Sequence, residues 1–149
     1  MCQVPLHHVK RNNRRDSMVR QKPFHILVAD MNHHVSALLK RELDDNRFSV
    51  TTLDNGIELY HSMLKPDQYD MVIFDPQLLW LYGNNLLQTA LDIALHERIK
   101  VILHTYEGQF TGLAIHTNIS RIVKSDSSIL AIKKRVYDIF LVGTGNQML

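Results

Sequence analysis

A single cysteine in 149 residues, Cys2, excludes an internal disulfide, so a chain of this length has to be held together by a hydrophobic core. Missing too is any apolar run near the ~18 residues of a membrane-crossing helix, and no apolar stretch of the signal-peptide kind follows the basic N-terminus. A soluble, cytoplasmic protein is therefore expected. The six glycines form neither G-x-G-x-x-G nor the Gly-Lys-Ser/Thr of a phosphate loop, which argues against a nucleotide-binding enzyme. Acidic charge is scarce at one end: residues 1–22 carry six basic side chains against Asp16 alone, a net +5, while the remainder carries −3. Such an arm, with little apolar periodicity, reads as a disordered extension on a mildly acidic globule. It has no aromatic residue to stack on a base, so nucleic acid is not the expected partner.

What is present begins near Pro23. Phe24 to Asp30 is an apolar run closed by an acid, the pattern of a strand buried on both faces. Val35, Leu38, Leu39 and Leu43 then share one face of a helix over 33–45, with Asn32 placed to cap it. Phe48 to Leu53 alternates with Ser49 and Thr51, which suggests a half-covered edge strand. Asp54-Asn55-Gly56 turns the chain into a short helix through Leu64, stopped by Lys65-Pro66-Asp67. Met71-Val72-Ile73-Phe74 repeats the buried-strand pattern and again ends in an acid, Asp75.

A loop to Asn84 leads to a third helix over 85–96 whose inward stripe is Leu87, Ala90, Leu91 and Ala94. Ile99 to Thr105 is a fourth strand. Gly108 and Gly112 leave room for only a short or irregular helix before strand five, 119–124. Ser125 or Asp126 is placed to cap a last helix that buries Ile129, Ile132, Val136 and Phe140, and residues 142–149 read as a frayed tail.

Strands alternating with helices imply right-handed crossovers and a doubly wound α/β fold, a five-stranded parallel sheet covered on both faces. The polar edges predict the flavodoxin-like order 2-1-3-4-5. Asp30, Asp75, Thr105 and Lys124 then arrive at one edge of that sheet, where such folds bind ligands. A carboxylate nucleophile, a helper acid, a hydroxyl and an ammonium together suit phosphoryl transfer.

The segments carrying these four residues, with Asp54-Asn55-Gly56 and with Gly83 eight positions past Asp75, resemble the response-regulator receiver domains typified by CheY over about residues 24–141. The resemblance implies a receiver-like domain over 23–141, between the arm and the tail. It implies Asp75 as acceptor of a phosphoryl group from a sensor histidine kinase or phosphotransfer protein, with Thr105 and Lys124 binding that group. It further implies Mg2+ held by Asp30, Asp75 and the backbone carbonyl of Gln77, and a switch position at Arg121. A partner or a second copy would dock on the face made by the helix after Thr105, strand five and the last helix. No enzymatic activity is implied beyond self-phosphorylation and dephosphorylation.

Several residues depart from the pattern. Met31 stands where a second acid normally meets the metal, and a thioether is a poor ligand for a hard cation. Tyr106 replaces a small residue, Arg121 an aromatic one, and Ser125 the usual proline. Two functions therefore stand open: a stand-alone phosphorylated receiver, and a degenerate receiver that binds a protein partner irrespective of phosphorylation. Among other polar residues, His104 alternates with Thr105 and is expected to be a core histidine with a hydrogen-bond partner. His33-His34 and Lys133-Lys134-Arg135 read as exposed surface, and Trp80 and Tyr82 as packing or cover beside Asp75.

Overall fold

A computed structural model of the chain describes residues 22–110, 113 and 117–142. All but the last residue of the basic arm, all but the first of the tail, and Gly112 lie outside them. The five apolar or half-apolar runs form β1 (Phe24–Ala29), β2 (Phe48–Leu53), β3 (Met71–Phe74), β4 (Lys100–Thr105) and β5 (Ile119–Val123). They pair in parallel in the order β2-β1-β3-β4-β5, as the polarity of the two outer strands predicts. Four longer helices join them: α1 (His33–Leu43), α2 (Gly56–Met63), α3 (Asn84–Glu97) and α4 (Ser128–Tyr137).

Strand periodicity explains why the central runs are unbroken. Ile26, Val28, Met71, Ile73 and Ile102 face a core layer with Leu39 and Leu43 of α1 and Ile132 and Val136 of α4. Their neighbours Leu27, Ala29, Val72, Phe74, Val101 and Leu103 face the other layer, with Leu59 and Met63 of α2 and the α3 stripe Leu87, Ala90, Leu91 and Ala94. Edge strand β2 buries Phe48 and Val50 but exposes Thr51, consistent with cover on one side.

Local signals set most helix ends. The Asn32 side chain accepts the His34 N–H, and Asn55 accepts those of Ile57 and Glu58. Some expectations need correction. Leu38 is 37% exposed, because the face of α1 toward the core runs through Val35, Ser36, Leu39 and Leu43 instead. The loop after Asp75 holds a helical turn, Gln77–Trp80, since Pro76 supplies a helical φ of −60°. The last helix is capped at Ser127 with no side-chain hydrogen bond, not at Ser125 or Asp126, although Ser125 Oγ accepts the Ser127 N–H. Among the described residues no helix forms between β4 and β5. No helix among them is long and apolar enough to cross a membrane.

Gly56 illustrates how tightly the layers meet. A Cβ there would overlap the Leu78 carbonyl oxygen and touch the Leu78 carbonyl carbon and Tyr82 Cε2 at 3.0 Å. Two of those atoms are backbone and have little room to move. Gly56→Ala should therefore cost about 1–3 kcal/mol, the usual range for overpacking. A lower urea midpoint at unchanged slope is the expected reading, and a midpoint equal to that of the unsubstituted chain would refute the contact.

Candidate functional site

Parallel strands of different length bring two carboxylates to one rim. β1 and β3 are paired with Ala29 opposite Phe74, so the residues that follow, Asp30 and Asp75, emerge side by side. Each turns the chain with its own side chain: Asp30 Oδ1 accepts the Asn32 N–H at 2.8 Å, and Asp75 Oδ1 accepts the Gln77 N–H at 2.9 Å. That leaves the two Oδ2 atoms facing inward. Lys124, following β5, enters between them, with Nζ 2.7 Å from Asp75 Oδ2 and 3.0 Å from Asp30 Oδ2. Its backbone N–H donates to the Thr105 carbonyl at 2.8 Å, which extends the β4–β5 pairing and fixes where the side chain starts.

All three groups are buried: Asp30 is 3% and Asp75 7% exposed, and the Lys124 side chain 10%. Burial draws the Lys124 pKa down, but the hydrogen bonds it donates to Asp75 and then Asp30 outweigh it and raise the value above 10.5. The Tyr106 ring lies 4.8 Å from Nζ and covers it from solvent. The resulting cleft, of about 180 Å³, also has Met31, Asn32, Gln77 and Gln109 on its walls.

The remaining candidates fall differently. Thr105 is fully buried, its hydroxyl has no hydrogen-bond partner among the described residues, and it is not among the residues lining the cleft. Arg121 is tied down: its guanidinium donates to the Phe110 carbonyl at 2.7 Å and to the Gln109 carbonyl. Phe110 sits at a positive φ of 55° to present that oxygen. His104 is 2% exposed and pairs through Nε2 with Ser128 Oγ at 2.8 Å, a partner residue that no sequence signal marks. The His33 ring meets Asp54 at 3.3 Å, and both are exposed.

A hard divalent cation wants six or more oxygen ligands, several of them charged. Here both carboxylates already share an ammonium, Met31 offers sulfur and is 52% exposed, and the Gln77 carbonyl accepts the Leu81 N–H at 3.1 Å. Among the described residues no three His, Cys, Asp or Glu side chains stand together as a metal group. This donor set does not fit magnesium.

No family model matches the chain, and no curated protein does. Solved structures match it in fold. The signal receiver domain of a Luxo repressor protein from Vibrio parahaemolyticus is 14% identical, with TM-score 0.59 over 85% of this chain and 96% of that one. A two-component transcriptional regulator AraC from Clostridium phytofermentans is 18% identical, with TM-score 0.56 over 83% and 98%. A response regulator receiver domain protein from Clostridium thermocellum is 21% identical, with TM-score 0.55 over 80% and 98%. At these identities the likeness establishes the fold, and the chain has the receiver-domain, flavodoxin-like fold.

Proposed function

We propose that this chain is a receiver-like interaction module that binds a protein partner without being phosphorylated and turns over no substrate. The observation carrying this reading is Lys124 Nζ lodged between Asp30 and Asp75. Phosphoryl transfer would have Asp75 give up part of this arrangement, since both of its oxygens are engaged, one by the ammonium and one by the Gln77 N–H. It also adds negative charge to a cleft whose two carboxylates already exceed its one ammonium, with no fitting metal to offset the excess. Tyr106 occupies the approach, and the Thr105 hydroxyl is not on the cleft wall.

A second reading, a receiver phosphorylated on Asp75 by a sensor kinase, is favoured by the direct approach of Lys124 to Asp75 at 2.7 Å, an ammonium placed beside the candidate acceptor. Incubation with acetyl phosphate and magnesium separates the two. The expected result is an intact mass unchanged on the wild-type chain. A gain of one phosphoryl group that Asp75→Ala abolishes would establish the second reading and end the first.

A further inference from the structure

The cleft around Lys124 has a larger neighbour. A groove of about 560 Å³ lies beside it, and Gln77 and Gln109 belong to both walls, so the two adjoin. Among the described residues no charged side chain lines the groove. The carboxamides of Gln77, Asn84 and Gln109 line it without a hydrogen-bond partner in the described residues, each offering two donors and an acceptor. Trp80 forms one side, standing edge-on to Phe110 with ring centroids 5.6 Å apart, and is 45% exposed. The next two residues, Leu81 and Tyr82, are 58% and 52% exposed, an unusual run of large apolar side chains in water. At the far end, Asp30 and Asp75 outnumber Lys124 by one charge.

The geometry points to a bipartite docking groove for an extended segment of a partner protein, in which one basic side chain neighbours uncharged, apolar residues. The apolar side chain would pack on Trp80, the kind of half-exposed aromatic that dominates interface energies. Backbone amides of the segment match the carboxamides, which pair with a donor and an acceptor at once. The lysine or arginine head answers the net negative charge at the mouth of the cleft, where two carboxylates face one ammonium. An acidic segment would meet like charge there, and a fully apolar one would leave the cleft's excess charge unanswered. This assignment rests on the reading of the chain as a protein-binding module, and it names what the module binds.

Selection of random linear peptides by display on the full-length chain tests it. Enriched peptides should carry one lysine or arginine in an uncharged, apolar context. A synthetic copy should bind about tenfold or more weakly to Trp80→Ala and to Gln109→Ala, and when its basic residue is changed to glutamine. Gln109 is exposed and its side chain unpartnered, so Gln109→Ala leaves the fold intact even if Trp80→Ala does not. No enrichment, enrichment of acidic peptides, or equal binding to Gln109→Ala overturns the assignment. So does concentration-dependent self-association abolished by Trp80→Ala, which would give the groove to a second copy. Phosphorylation of Asp75 by acetyl phosphate would overturn the preceding reading and leave this assay to be judged on its own result.

Discussion

Lys124→Met should destabilise the chain by about 3–5 kcal/mol, the cost of removing one partner from a buried ionic group and leaving the other uncompensated. The loss is expected at the upper end of that range, because here the ammonium separates two carboxylates rather than one. Methionine retains most of the aliphatic stem, so the change reports charge and hydrogen bonding more than volume. Asp30→Asn is the control: it leaves Lys124 and Asp75 as a balanced pair, and should cost much less. The pH dependence separates this account from simple packing. The Lys124 pKa is raised on folding, so its contribution is fully present below 10.5, the unfolded value, and is lost as pH climbs through the higher folded value. The gap in denaturant midpoint between wild type and Lys124→Met should be full at pH 7 and narrow as pH climbs beyond 10.5. An undiminished gap at alkaline pH, or an Asp30→Asn variant as unstable as Lys124→Met, would remove the basis for treating Lys124 as the cleft's built-in cation.

Much of the fold was legible because both faces of the sheet are covered. Burial on two sides leaves the middle of β1, β3 and β4 apolar, with polar residues confined to the strand ends, and such a run has few other homes. The α3 stripe was equally plain, since Leu87, Ala90, Leu91 and Ala94 repeat at helical spacing and all four are buried. The rim was legible in part: strand-ending acids at 30 and 75 and a lysine after β5 must emerge on the same edge of any parallel sheet of this order. What residue types could not convey was how the side chains would settle. Whether an ammonium pairs with one carboxylate or bridges two depends on sub-ångström placement of three separate strands. Thr105 ends the right strand, yet strand alternation turns its hydroxyl into the protein, away from the cleft wall. Residue types do not mark the Gln77–Trp80 turn, because Asp-Pro signals a turn and a helix start equally well, and that turn is what commits the Gln77 carbonyl to Leu81.

His104 should make the protein acid-sensitive in a window set by its own pKa. The imidazole sits at the end of β4 on the side of α1 and α4, 2% exposed. Ser128 Oγ donates its only proton to the Ser125 carbonyl at 3.0 Å, so it accepts from His104 Nε2 at 2.8 Å. Nδ1 is then a buried acceptor with no donor. Protonation would put a charge there in a dry site near Lys124. Burial first, and then the Lys124 charge, lower the pKa from 6.5 to about 4, against a smaller upward pull from Asp30 and Asp75. Between those two values the unfolded chain binds a proton that the folded chain refuses, so stability falls as pH drops from 6.5 toward 4. The loss due to this residue approaches about 3 kcal/mol at the acid end and vanishes above neutrality. His104→Phe keeps a ring in the space and cannot titrate; stranding Ser128 without its donor costs it stability equally at every pH. Urea midpoints of both chains at pH 7 and pH 4.5 should show wild type losing the more, because carboxylate titration is common to the two and cancels in the comparison. Parallel losses would mean that the buried imidazole accepts a proton in the folded state, through a partner for Nδ1 that the site does not supply.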